Sequence, residues 1–439
     1  MNKHLYYKLD LKLLSPLSIG SGQSRHSDSD IILDSRGEPY IPASSLAGVL
    51  RAFCDKENNE DIFLFGNVDK NDGSKKKPDK ATPSKVYVYD GTLISGVNKT
   101  DTRDSVALDE RKVAKQGQKF DFEISSSGLT FSSYLEVVHT APEDCERRVE
   151  KLIGKLSAYS YGLGKKSSRG FGHFTVTAYK KSFDLSVHAD RKDWLAFDLF
   201  DENNKWTETV HLAVVAENND FSVLRIPLKL RGGISIRQYI AEAPSGGNEE
   251  KVPDYEQLKS GKTPVIPGTS WAGAFRHHCI KILEGGAYAG DIHSDLNTFF
   301  GYVETNSKKR EENTEKGKQN QWKSLVVFRE SEITGGVEKK ITRNSIDRFS
   351  AATKESALYT EKTYWGGTTE LIIKWPASDS WFIRQLLYLC ILDLLDGILA
   401  VGGLTAIGRG VFCLNEKEAI QLNGHPITIS DIESEVSAQ

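Results

Sequence analysis

The chain has 439 residues, 38% hydrophobic and 27% charged, with 57 basic against 60 acidic side chains. That length suits two or three domains, the apolar content excludes a disordered chain, and 37 glycines without a tripeptide period exclude a fibrous one. A net charge of −3 and a pI near 6.4 exclude a histone-like coat of positive charge and leave room for a local basic groove.

From the amino terminus, MNKHLYYKLDLKLL alternates like a strand and lacks the apolar core of a signal peptide. The strand Leu5–Ile19 leads into a polar loop, Arg25-His26-Ser27-Asp28-Ser29-Asp30. Ile41-Pro42-Ala43-Ser44-Ser45-Leu46-Ala47-Gly48 then starts a helix; proline fixes the approach and the hydroxyls are expected to cap the first turn. After Phe65-Gly66, the lysine-rich stretch 67–83 predicts a mobile low-complexity loop. Strands are expected around 86–94 and 131–138, followed by a long amphipathic helix over 143–158, a glycine-rich turn and a closing strand.

The same landmarks return in the same order. Ile266-Pro267-Gly268-Thr269-Ser270-Trp271-Ala272-Gly273 lies 225 residues beyond Ile41, and Phe300-Gly301 lies 235 beyond Phe65. Leu325 lies 239 beyond Val86, and the spacing is 240 from Arg103/Arg343 to Gly170/Gly410. Five ordered landmarks with a slowly growing offset define a tandem duplication. Its boundary falls near 185–195, giving domains 1–190 and 191–439. In the second copy a strand is expected over Leu224–Ile236, a low-complexity loop over 304–321, strands around 324–333 and 369–375, and a helix over 379–400. Strand–helix–strand–strand–helix–strand is the ferredoxin-like (RRM-like) α+β order, an antiparallel sheet with helices on one face.

The most apolar run, Leu386–Val401, is interrupted by Asp393 and Asp396 and is too short to span a membrane, so it reads as a buried helix. The five cysteines are scattered and never form a C-x-x-C pair. That usage implies a reducing, cytoplasmic setting with neither disulfides nor zinc fingers.

The glycine-rich segment 162–172 carries the strongest chemical signal. Glycines there permit positive φ, so that consecutive amides can face an anion, while Lys165, Lys166 and Arg169 supply charge beside Gly170. It is no Walker-type P-loop, because Tyr159 stands at the first glycine position and Lys166 at the Ser/Thr position. A solvated helix-to-strand turn accounts for such a loop equally well. The repeat at 402–410 keeps Arg409 but lacks both lysines, so its phosphate grip should be weaker. The helix starts Ser44-Ser45 and Thr269-Ser270 suit either phosphate binding or plain capping. Lys75-Lys76-Lys77 and Lys308-Lys309-Arg310 read as solvated loop charge. In the polar loop, Asp28 and Asp30 suit a divalent cation or a hydroxyl and His26 a proton, as a plain surface loop also would. Adjacent helical residues point apart, so His277-His278-Cys279 is not expected to bind zinc.

Together these landmarks resemble the RAMP superfamily, the ferredoxin-like subunits of CRISPR effector complexes. The resemblance rests on Pro16-Leu17-Ser18-Ile19-Gly20-Ser21-Gly22, the aspartate loop, Pro39-Tyr40-Ile41-Pro42-Ala43-Ser44-Ser45 with Gly48 and Arg51, and Arg169-Gly170-Phe171-Gly172. Among RAMP branches it is most similar to type III backbone subunits, with two units fused as in III-D-like systems.

The resemblance implies a protein of antiviral defence that polymerises along CRISPR RNA, contacts other effector subunits and binds target RNA, with no membrane role. RNA contacts are expected from Ser44, Ser45, Arg51, Arg103, Lys165, Lys166, Arg169, Gly170, Thr269, Ser270, Arg276, Arg343 and Arg409. Thumb hairpins that pry bases apart should follow Arg103 and Arg343. An aspartate before the Ile-Pro motif would act as endoribonuclease on target RNA, and counting back places it at Asp28, also the candidate ligand for a divalent metal, Mg or Mn. Asp30 is the neighbouring candidate. Asp254 is the second-copy candidate, expected one residue out of register in a loop whose preceding segment, Leu230–Ile236, lacks Gly-x-Gly. A purely structural or capping RNA-binding subunit is the alternative. A stand-alone repeat-RNA processing enzyme is a third class, for which His173 beside the glycine loop would be the base.

Overall fold

The computed structural model describes residues 3–22, 24, 27–68, 81–96, 100–108, 114–138, 143–159, 162–206, 208–210, 221–239, 253–286, 288–303, 321–354, 357–378 and 380–437. Most of both low-complexity loops, together with Arg25 and His26, lies outside the described residues. The chain groups into two compact units. The first comprises Met1–Thr102, Phe122–Ser167 and Gly172–Asn218; the second comprises Arg103–Asp121, Ser168–Phe171 and Asn219–Gln439.

In the first unit, β1 (Lys3–Leu13) precedes helices α1 (Ala43–Ala52) and α2 (Glu60–Phe65), then β2 (Val86–Val88) and β3 (Thr92–Ser95). The strands β4 (Thr100–Leu108) and β5 (Ala114–Ser125) form a two-stranded hairpin, of which Arg103–Asp121 groups with the second unit. Next come β6 (Thr130–Val137), α3 (Glu143–Tyr159), β7 (Phe174–Asp184), α4 (His188–Ala196) and β8 (Glu208–Thr209). The sheet order is β8-β7-β1-β6-β2, with β3 beside β6. β1 runs antiparallel to both neighbours, so Leu9 lies opposite Ser133 on one side and Ala178 on the other. That is the ferredoxin-like arrangement expected.

Strand alternation sorts the two faces. Leu5, Tyr7, Leu9, Leu11 and Leu13 pack under Leu46 and Leu50 of α1 and Val149, Leu152, Ile153 and Leu156 of α3. On the opposite face Tyr6 and Phe183 meet Trp194, Phe197 and Trp206, so an aromatic cap from the segment after β7 covers part of the sheet that an RRM-like domain otherwise leaves open.

The second unit repeats the plan with β9 (Phe221–Arg231), β10 (Arg237–Tyr239), β11 (Tyr255–Gln257), α5 (Gly268–Gly285), α6 (Ile292–Phe300) and β12 (Val327–Phe328). It continues with β13 (Val337–Arg343), β14 (Tyr359–Trp365), β15 (Thr368–Pro376), α7 (Ser380–Leu395), β16 (Val411–Leu414) and β17 (Ile420–Leu422). β9 is central, between β15 on one side and β16 and β17 on the other. Pro227 sits where β16 gives way to β17 along β9, the point at which a strand interior tolerates a residue without an N–H. Leu224, Ile226, Leu228 and Leu230 pack against Trp271 and Phe275 of α5 and Ile383, Leu387 and Leu394 of α7. The apolar run expected to form a buried helix is helical as far as Leu395, where α7 ends five residues short of the expected bound, and its Asp393 is bound by His278 of α5. Among the described residues no helix is long and apolar enough to cross a membrane.

The proline approach to α1 and α5 is as expected, but the hydroxyl caps are not made. Pro42 and Pro267 occupy the N-cap positions and no side chain caps either helix in the usual way; at α1 the Asp90 carboxylate instead accepts the Ala43 N–H at 2.6 Å. With proline at the cap itself, Ser44, Ser45, Thr269 and Ser270 fall inside the first turn, past the position from which a hydroxyl reaches back.

Gly172 (φ 67°) and Gly410 (φ 69°) close the two glycine turns, and a Cβ on either would enter the Leu163 or Val401 carbonyl oxygen. Gly172→Ala and Gly410→Ala should each cost about 1–3 kcal/mol for the left-handed backbone alone. Thermal melts should show the unit concerned unfolding roughly 2–4 °C earlier per kcal/mol.

Candidate nucleic-acid interface

The aspartate loop of the first unit is held by its own side chains. Ile32 N–H donates to Ile19 O, closing the loop base, and Asp30 accepts from Ser27 N (2.9 Å) and Ser27 Oγ (3.0 Å). Asp30 is 7% exposed and acts as the loop's internal clasp, whereas Asp28 is presented to solvent. Two further contacts fasten the loop from outside. Lys165 Nζ donates to Ser29 Oγ at 2.6 Å, and Glu123 on β5 accepts the Ile31 N–H at 3.0 Å through Oε2. The structure therefore brings Asp28 and Lys165 to one rim. Sequence reasoning missed Glu123; its signal was a carboxylate on the outward position of an alternating strand, Phe122-Glu123-Ile124.

The glycine turn is built differently from an anion nest. Its amides at Leu163, Lys165 and Gly172 donate to Gly172 O, Ser18 O and Pro16 O at 2.7–2.9 Å. These three amides are spent inside the protein. Lys165 and Arg169 are exposed, while Lys166, at φ 56°, holds its ammonium 3.2 Å above the Phe122 ring.

The second turn repeats the same three bonds, from Val401, Gly403 and Gly410 to Gly410 O, Ser235 O and Gly233 O. This sets the structural offset at 238 (Leu163/Val401, Gly172/Gly410), two short of the 240 read from sequence. The sequence match had aligned Arg-Gly with Arg-Gly; the backbone aligns Arg169 with Ile407 and Phe171 with Arg409. Arg409 is 2% exposed, bonds Glu361 at 2.5 Å and Thr363 Oγ1 at 3.1 Å, and stacks on Trp365. It faces the interior, away from solvent.

The other predicted arginines also make structural contacts. Arg51 pairs with Asp61 at 3.3 Å and Arg276 bonds Asn297 and Gly301 O, each tying the first helix of its unit to the second. Burial, reinforced by the nearby Arg169 charge, holds the Arg276 guanidinium below its ordinary pKa. Within the second unit Arg103 forms a buried bidentate pair with Glu330, and Arg343 joins Arg409 on Glu361 at 3.2 Å. The hairpins expected after Arg103 and Arg343 begin slightly earlier, since Arg103 lies within β4 and Arg343 ends β13. The tip of the first hairpin, 109–113, lies outside the described residues. The segment joining β13 to β14 presents Ile346 and a fully exposed Phe349.

Asp254 stands four residues before Leu258, whose N–H donates to Ile236 O, just as Asp28 stands four before Ile32. The two aspartates thus match without the one-residue shift expected. Their surroundings differ: Asp254 Oδ2 accepts the Thr360 N–H at 2.7 Å and its own N–H donates to Thr360 O, knitting it to β14. His173 is buried, with its amide bound by Ser15 Oγ. Among the described residues no group of three His, Cys, Asp or Glu side chains is placed to hold a metal ion. His278 turns to Asp393 while Cys279 lies 3.5 Å from Cys390 in the core.

The family model of the RAMP superfamily matches residues 10–175 and 227–413, and the chain belongs to that superfamily, with one RAMP unit in each match. Membership carries an RNA-binding role in a CRISPR-associated assembly with other effector subunits. No curated protein matches the chain.

Glu361 is fully buried, so Arg409→Ala should strand its charge and destabilise the protein by about 3 kcal/mol, the lower end for a broken buried pair because Arg343 remains. Lys165→Ala, at an exposed side chain, should change stability by less than about 0.5 kcal/mol. Chemical denaturation of the two variants checks the contrast.

Proposed function

We propose that this RAMP protein is a fused two-unit backbone subunit of a type III, III-D-like effector, acting in the cytoplasm, which binds CRISPR RNA and cuts complementary target RNA once, at Asp28. The observation that carries the reading is the meeting of an exposed aspartate with an exposed lysine on one rim, held by the Lys165–Ser29 contact. RNA supplies its own nucleophile in the 2′-hydroxyl, so the protein's tasks are in-line geometry, proton transfer and charge neutralisation. The 2′-hydroxyl attacks the adjacent phosphorus as the P–O5′ bond breaks, giving a 2′,3′-cyclic phosphate and a 5′-hydroxyl that takes its proton from water; Asp28 accepts the 2′-hydroxyl proton and Lys165 offsets charge on the phosphate. Asp30 Oδ1 accepts from Ser27 and Glu123 Oε2 from Ile31, and among the described residues no three His, Cys, Asp or Glu side chains are grouped to hold Mg or Mn. A cation working here would take most of its ligands from phosphate and water.

The second unit fits the alternative, non-cutting role. Its aspartate is bound to Thr360, and its turn carries Gly403 and Leu404 where the first has Lys165 and Lys166. Burial of His173 gives the stand-alone processing reading no exposed base beside the turn.

In the assembled complex with guide and target RNA, Asp28→Ala should leave target affinity unchanged and remove one product from the cleavage ladder, with Mg or Mn present. Asp254→Ala should leave the ladder intact. A full-rate cut in the Asp28 variant removes the catalytic assignment and leaves the structural-subunit reading. The double change Lys165→Ala with Arg169→Ala should weaken guide binding uniformly across sequences. It should also reduce the slope of log affinity against log salt by about one unit per lost phosphate contact; an unchanged slope returns the turn to a purely structural part.

A further inference from the structure

Glu123 makes contacts that the cleavage reading does not use. It lies on β5, the returning strand of the first hairpin, and engages the aspartate loop and the exit of β1 together. Its N–H donates to Ser29 O at 3.0 Å, its Oε2 accepts the Ile31 N–H at 3.0 Å, and its carbonyl accepts Ser18 Oγ at 3.0 Å. The flanking Phe122 and Ile124 are buried, so the strand cannot slide without emptying core positions. Ser18 also holds the glycine turn, through its carbonyl, at Lys165 N. Asp28 is therefore suspended between a residue clasped by Asp30 and a residue bound by both Glu123 and Lys165.

We infer that Glu123 is a positioning residue that fixes the Asp28 loop to the hairpin strand and so sets the reach of Asp28 toward the RNA; this rests on the cleavage reading above. Glu123 touches no reacting atom. Its carboxylate serves as an acceptor for one amide, a role its neutral amide analogue can also fill. A displacement of about 1 Å at a reacting group costs on the order of 100-fold in rate, so loss of the clamp should be visible in cleavage and invisible in binding.

The test uses the assembled complex and three variants: Glu123→Ala, Glu123→Gln and Asp28→Ala. Single-turnover cleavage at the Asp28 step should fall about 10–100-fold in Glu123→Ala and recover most of that loss in Glu123→Gln, with target affinity equal in both. Amide hydrogen exchange should rise at Ile31 in Glu123→Ala and return in Glu123→Gln. Full-rate cleavage in Glu123→Ala overturns the inference, as does an Ile31 amide that exchanges no faster. Cleavage equally lost in the Gln and Ala variants overturns it too, by giving the carboxylate charge a direct part in the chemistry. If Asp28→Ala still cuts at full rate, the cleavage reading itself fails, and the exchange data show separately whether the clamp exists.

Discussion

Three backbone hydrogen bonds organise each unit. One closes the glycine turn on itself and two bind it to the residues leaving the central strand: Leu163 to Gly172, Lys165 to Ser18 and Gly172 to Pro16 in the first, with Val401, Gly403 and Gly410 in the same parts in the second. Buried amides need such partners, and only glycine lets the backbone come so close while holding a left-handed φ. This constraint places Lys165 beside the strand exit. The aspartate loop begins at the same exit, so the two reach a common rim, where Lys165 meets Ser29.

The two copies keep that frame and diverge in what it carries. Where the first has Phe122 and Phe171, the second has Glu361 and Arg409, as the sheet pairings Leu17–Ser125 and Ile234–Tyr364 align them. An ion pair buried this deeply gains little net stability after desolvation, but it is costly to break. Arg409, Glu361, Arg343 and Tyr255 form one network, and burial first, then the Glu361 charge, sets the Tyr255 hydroxyl against ionising, with Arg237 opposing. Asp254 is drawn into the neighbouring strand pairing by Thr360. The second copy thus places a buried ion pair where the first has two phenylalanines, and fastens to Thr360 the aspartate that the first displays at its rim.

The duplication, the ferredoxin-like order and the buried nature of α7 were legible in the chain, because each depends on local periodicity and on landmarks kept in order. Leu224, Ile226, Leu228 and Leu230 announce a buried strand face without reference to anything else. Asp28 was singled out by counting back from Pro39-Tyr40-Ile41-Pro42 in the family pattern, and the fold shows that it is exposed. The fate of each arginine was not legible. Arg51, Arg103, Arg343 and Arg409 are the same residue type in similar settings, and only the fold shows that their partners are Asp61, Glu330 and Glu361.

Sequence alone determined that two RAMP-like units follow one another, that the apolar run after Leu386 is buried, and where a loop acid stands. Tertiary structure decided the register of the glycine turns, the separation of Asp28 from Asp30 into an exposed and a clasped carboxylate, and the role of Glu123. The physical reason is range. Periodicity and turn chemistry act over a few residues, whereas a guanidinium or carboxylate is assigned its role by charges and amides 10 to more than 200 residues away, as Arg51 with Asp61 and Arg103 with Glu330 show.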